Sequence, residues 1–246
     1  MRRVAIIAAA LLATFAGIAR AGDDALEQVR AALRELPGTA AVRATVTRSF
    51  TSERKERPLE AGRAQIEVMA GPDGISLNYP AGLLAEVRAE RAQRDPEQAK
   101  PATRTLENFE ATDVADLLNR ATGLTTDLDG ATLQGVTEEE RDGRPARRLD
   151  LDLVVRTSKA DSKWVKTSSR KMKLWVTPEG LPLATESEFN MRVGLLMFNF
   201  DARDVRTETF GRAGDRLITQ RLATRFDGEG LGESQHTHSD VTLALR

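Results

Sequence analysis

The sequence predicts a mainly β (α+β) fold: a curled antiparallel meander, with one N-terminal helix and two inserted helices covering its concave face. Three observations lead there. Runs with apolar residues at every second position recur along most of the chain, which is the period of half-buried strands. Most neighbouring runs are joined by short turn signals rather than by long crossovers, so adjacent strands pair antiparallel. Helical spacing appears in only a few places, and a sheet this long must curl and have its apolar face covered.

Taken in order, the chain opens with "MRRVAIIAAALLATFAGIARA", two arginines, an apolar run from Val4 to Ile18 and the small-residue ending Ala19-Arg20-Ala21. This is the layout of a secretory signal peptide. The run is about 15 residues, short for a bilayer that needs roughly 20. Cleavage is expected near Ala21, which divides the chain into a signal peptide, 1–21, and one mature domain, 22–246. "DDALEQVRAALREL" then places Leu26, Val29, Leu33 and Leu36 at helical spacing, ended by Pro37-Gly38.

"VRATVTRSF" alternates, and "RAQIEVMAGPDGISLNYP" gives two strands around Pro72-Asp73-Gly74. Helical spacing returns in "AGLLAEVRAERAQRD" and in "LENFEATDVADLLNRA", with the polar loop "PEQAKPAT" between them. "ATLQGVTEEER" and "PARRLDLDLVV" flank Asp142-Gly143, a strong hairpin signal. In "KLWVTPEGLPLATE", Thr177-Pro178-Glu179-Gly180 suits a type I turn closed by a left-handed residue. Pairing Val176 with Leu181 would set Leu174 beside Leu183 and Lys171 opposite Glu186. The remaining strands are read in "LLMFNFDARDV", "RTETF", "DRLITQRLATRF" and "SQHTHSDVTLAL".

Composition limits the function. The chain has no cysteine, so the fold stands without disulfides and no lipid can be attached at a lipobox cysteine. Without Arg2, Arg3 and Arg20 the 36 basic residues fall to 33, against 37 acidic ones. This acidic excess argues against a nucleic-acid partner. No later segment is apolar enough to span a membrane, and a soluble periplasmic protein is expected.

The order of elements, and Leu174-Trp175-Val176 followed by Gly180-Leu181-Pro182-Leu183, resemble the LolA/LolB superfamily of periplasmic lipoprotein carriers and the related RseB-type sensor domain. The resemblance implies a half-barrel whose helices close an apolar cavity for acyl chains, with a lipid or acylated protein as ligand. The chain departs from the family in aromatic content: it has 8 Phe, 2 Trp and 1 Tyr. Under this reading Leu83, Leu84, Val87, Leu117 and Leu118 on the inserted helices form a lid. Read from spacing alone, the same residues and Val114 are core contacts against the sheet.

Catalytic constellations are sparse. His236, His238 and Asp240 in "HTHSD" alternate and project from one strand face, and their residue types suit zinc. The chain has 2 histidines in all, so a solvated strand face is the better reading and a metal-dependent hydrolase the weak alternative. No G-x-S-x-G elbow, phosphate loop, dinucleotide fingerprint or EF-hand loop occurs. The expectation is a protein that is not an enzyme, uses no cofactor, and binds an apolar ligand as carrier or sensor. Its rival is an envelope protein-interaction module with a fully packed sheet and no cavity.

Overall fold

The computed structural model describes residues 24–93, 99–107, 109–156, 164–195, 198–230 and 232–246. The expected signal peptide and Gly22 lie outside these residues. Helix α1 (24–34) is followed by β1 (Val42–Arg54), β2 (Glu60–Gly71) and β3 (Gly74–Asn78). Helices α2 (Ala81–Ala92), α3 (Pro101–Leu106), α4 (Ala111–Leu118) and α5 (Arg120–Leu128) come next. The chain ends with β4 (Thr132–Arg141), β5 (Arg144–Asp152), β6 (Val165–Val176), β7 (Pro182–Leu195), β8 (Phe198–Ala213), β9 (Arg216–Gly230) and β10 (Glu233–Leu245).

The strands form one ten-stranded sheet in the order β3-β2-β1-β10-β9-β8-β7-β6-β5-β4, every pair antiparallel. The expected meander is present from β4 to β10. The N-terminal strands join it through β1, which pairs with β10 from Ala44↔Leu245 to Arg54↔Gln235. The sheet edges, β3 and β4, are therefore consecutive in sequence. The inserted helices connect them, which carries the insertion across the concave face.

Helical spacing predicts two inserted helices, whereas the described residues form four. Asn119, at φ −145° and ψ 64°, breaks the apparent continuity of "DVADLLNRATGL" and separates α4 from α5. The polar loop starts a helix at Pro101, because the Glu90 carboxylate on α2 accepts hydrogen bonds from the Ala102 and Thr103 N–H groups at 2.9 and 2.6 Å. A donor-rich helix start is thus satisfied by a side chain from another element, which local propensity does not report. "LLMFNFDARDV" begins in β7 and ends in β8, and "RTETF" continues β8 without a break. Leu196 and Met197 lie outside the described residues.

The turns follow their residues closely. Asp142 and Gly143 both have positive φ, 54° and 73°, as a two-residue hairpin of type I′ requires. The Gly180 N–H donates to the Thr177 carbonyl at 2.9 Å with Gly180 at φ 87°. A side chain at Gly180 would also meet the Gln28 backbone of α1 at 3.0 Å. The Gln28 amide and Arg147 both donate to the Pro178 carbonyl, at 3.0 and 2.7 Å, and this fixes the hairpin tip on α1.

The register of this hairpin differs from the expected one. Val176 pairs with Pro182 rather than Leu181, and a bulge between Trp175 and Val176 then pairs Trp175 with Ala184 and Leu174 with Thr185. Leu183 is the extra residue of the bulge, and the cross-strand ion pair is Lys173–Glu186 at 2.8 Å rather than Lys171–Glu186.

Two apolar clusters fill the concavity. In the first, Leu26, Val29, Leu33 and Leu36 pack with Leu124 and Leu128 of α5 onto Leu149, Leu151, Met172, Leu174 and Val176. In the second, Val114, Leu117 and Leu118 of α4, with Phe109, cover Ala44, Val46, Ile66, Val68 and Leu243. Full burial of each large aliphatic side chain contributes about 1.5–3 kcal/mol, so these clusters are the main term holding the helices to the sheet.

Candidate functional site: a cavity on the concave face

Where α5 ends, the helical cover stops and the sheet lies open. A cavity of about 790 Å³ is walled there by the end of α5, the segment after β5, and the far halves of β6 to β8. Strand alternation sends Ser187, Phe189, Met191 and Val193 of β7 into it, and Val154, Val155, Trp164 and Val165 complete an apolar wall. Val154 and Trp164 are 47% and 39% exposed, large apolar groups left uncovered at its mouth.

The end of the cavity nearest α5 is charged, with Arg170 and Asp204 the cross-strand neighbours of Phe189, and Arg206 that of Ser187. Asp127, Arg170, Asp204 and Arg206 line it and continue into a buried ladder between α5 and the sheet. Arg206 Nη2 donates to Glu208 Oε1 at 2.8 Å, and Arg120 grips the same carboxylate with Nε and Nη2, both at 3.0 Å. Arg120 Nη2 also donates to Asp127 Oδ2 at 2.7 Å, and Arg170 Nη2 to Asp127 Oδ1 at 2.9 Å. The Thr185 hydroxyl donates to Glu208 Oε2 at 3.1 Å.

Burial by itself pushes the Glu208 carboxyl up, but Arg120 and Arg206 more than offset it and the group ends below its ordinary range. Asp127 behaves alike: burial raises it, while Arg120 and Arg170 bring it below. Burial lowers the Arg120 guanidinium, and Glu208 and Asp127 raise it above its usual value. The ladder therefore stays ionised at neutral pH and anchors α5. Asp204 differs, because desolvation raises its carboxyl against the pull of Arg206 and Arg170.

The residues singled out in sequence sit elsewhere. Leu118 is wholly buried in the second cluster, Val87 is buried, and Leu83 packs half-buried against that cluster. Leu84 is half-buried. Leu117 belongs to the cluster and also borders a second cavity of about 270 Å³. None of these five lines the 790 Å³ cavity.

His236 and His238 are exposed and project from one face of β10, as the alternation predicts. His236 Nδ1 lies 2.8 Å from Asp227 and His238 Nε2 lies 2.6 Å from Asp240. Among the described residues no group of three or more His, Asp or Glu is placed to hold a metal ion.

Sequence reasoning missed the ladder and the cavity wall. The available signal was a charged residue at an inward-facing position: Arg120 inside the apolar run "LLNRATGL", and Glu208 in step with the buried Phe210.

No family model matches the chain, and no curated protein matches it. Among solved structures it is similar to a LolA superfamily protein from Nitrosomonas europaea, with 17% identity, 92% of this chain and 93% of that one covered, and a TM-score of 0.30. It is also similar to MucB, solved in complex with MucA(peri), with 11% identity, 91% and 94% covered, and a TM-score of 0.20. The open ten-stranded sheet is established by this chain's own strand order.

Proposed function

We propose that this protein binds an apolar or amphipathic ligand, a lipid or an acylated protein, in the 790 Å³ cavity, and that it serves in the periplasm as a carrier or sensor rather than an enzyme. The observation that carries this reading is the cavity itself. Its volume falls in the range of ligand pockets, roughly 300–1,000 Å³, and Val154, Val155, Trp164, Val165, Met191 and Val193 give it apolar lining. A module whose sheet is fully packed would have no such space, which weighs against the rival reading.

The ligand's chain would lie along Met191 and Val193 toward Trp164 and Val165, with its polar end beside Arg170, Asp204 and Arg206. Placement in the periplasm rests on the N-terminal export signal. The two histidines, on β10, do not line this cavity.

Titration of the mature chain with fatty acids of increasing length tests the reading. Each buried methylene contributes about 0.8 kcal/mol, so affinity should climb with length and level off once the cavity is full. Phe189→Asp and Met191→Asp should abolish binding with little change in the thermal melt, since both side chains are only half-buried. Absence of saturable binding at every length would refute it.

A further inference from the structure

The second, smaller cavity has a chemistry of its own. Its floor is Arg48 of β1, 9% exposed, whose Nε donates to Ser239 Oγ at 3.1 Å and whose Nη1 reaches the Thr105 carbonyl at 3.4 Å. Arg48 forms no ion pair among the described residues; its guanidinium carbon lies 6.0 Å from the Phe50 ring centroid, and Nη2 has no hydrogen bond among them. Such a group is costly unless an anion compensates it. Desolvation pushes the Arg48 guanidinium down to about 10, and Asp113 acts in the opposite direction without reaching it.

The rim carries the opposite charge. Asp113 and Asp116 on α4 border the same cavity, both exposed, and neither forms an ion pair among the described residues. Arg206 lines both cavities and so marks where they adjoin. Unpaired charge of one sign lies at the floor and of the other at the mouth, beside the larger cavity.

We propose that the 270 Å³ cavity receives the zwitterionic head group of a phosphoethanolamine lipid. The phosphate meets Arg48 and Arg206, the amine meets Asp113 and Asp116, and the acyl chains enter the neighbouring cavity. This deepens the ligand reading above and rests on it for the chains. The head group alone has its own binding determinants, so the two can fail separately.

The test uses the mature chain with three probes: dihexanoyl phosphatidylethanolamine, dihexanoyl phosphatidylglycerol, which has the phosphate without the amine, and the chain-free glycerophosphoethanolamine. Calorimetry should show the ethanolamine lipid binding at least about tenfold tighter than the glycerol lipid, the size expected of one charge-assisted hydrogen bond. Asp113→Asn combined with Asp116→Asn, both on the surface, should erase that preference, and Arg48→Gln should weaken both lipids. Glycerophosphoethanolamine should shift the amide resonances of Leu117 and Ser239.

Equal affinity for the two lipids, or a preference that survives the rim variant, would overturn the proposal. So would unmoved resonances with glycerophosphoethanolamine, or inorganic phosphate competing as well as it does. If fatty acids still bind in those cases, the apolar cavity reading stands and only the head-group assignment falls. Head-group shifts without fatty-acid binding would leave the head-group site standing and remove the acyl-chain cavity.

Discussion

The concave face holds two buried arginines in two contrasting settings. Arg120, in the half beneath α5, is held by Glu208 and Asp127, and the pair is extended by Arg206 and Arg170. Arg48, beneath α3 and α4, has a hydroxyl, a distant carbonyl and the Phe50 ring for partners and a cavity before it. Their proton affinities diverge accordingly: Arg120 is raised above its usual value and Arg48 is pushed down to about 10. A compensated buried charge fixes a helix to a sheet, whereas an uncompensated one is a demand that a ligand can meet.

Breaking the compensated side should have the largest effect. Glu208→Ala leaves Arg120 buried with half its partners, and about 3–5 kcal/mol of stability should be lost in a urea titration. Replacing Arg120 by Met together with Glu208 by Leu should restore most of it, because the charges are then removed as a pair. A double variant no more stable than Glu208→Ala would show that the ladder does more than compensate its own desolvation.

The apolar clusters sharpen the same contrast. Leu174 lies at 0% exposure in the closed half, and Leu174→Ala should cost about 3–5 kcal/mol. Leu117 borders the small cavity, so Leu117→Ala has less packing to lose and should cost about 2 kcal/mol. Equal losses would mean the second half is as tightly filled as the first.

Arg48→Met should change stability by less than about 1 kcal/mol, or raise it, since an apolar isostere removes an uncompensated charge. A loss comparable to that of Glu208→Ala would show Arg48 to be a structural residue. The smallest effect concerns the seam between the halves, where the Thr39 and Ala40 N–H groups and the Thr39 hydroxyl donate to Asp215 at 2.9, 2.7 and 2.6 Å. These bonds, the Thr39 hydroxyl first, hold the Asp215 carboxyl down at about 2. Its contribution should be complete above the ordinary carboxylate pKa near 4 and fade as pH falls toward 2. Asp215→Asn should flatten that part of the acid denaturation curve, and an unchanged curve would refute the assignment.

What could be read in the sequence follows from the range of the interactions involved. The strands β1, β2 and β5 show period-two alternation, the turns at Asp142-Gly143 and Thr177–Gly180 carry their own conformational demands, and α1 holds Leu26, Val29 and Leu33, with Leu36 just past its end. These are local properties. The β1–β10 pairing joins residues at opposite ends of the chain, and nothing near Val42 announces it. The register of the β6–β7 hairpin is displaced by two residues: Val176 pairs with Pro182 rather than Leu181, and the extra residue Leu183 adds the second step at a bulge that no turn signal marks. The cavity is a failure of covering: α5 ends at Leu128 and leaves Phe189 and Met191 open, although both occupy ordinary core-like positions in their strand. The ladder became visible only when Arg120 and Glu208, 88 residues apart, met inside the fold.

The central claim, that an acyl chain occupies the larger cavity, is tested most directly by the two tryptophans. Trp164 lines that cavity, while Trp175 is buried on the other face of the sheet beneath the Arg141 guanidinium, 4.1 Å from its ring centroid. A fatty acid brominated along its chain quenches an indole only on contact. In the Trp175→Phe variant, addition of this fatty acid should quench Trp164 emission saturably, with unbrominated fatty acid reversing the effect. In the Trp164→Phe variant the emission of Trp175 should stay unchanged. Absence of quenching at Trp164, or equal quenching of both tryptophans, would contradict an acyl chain in this cavity.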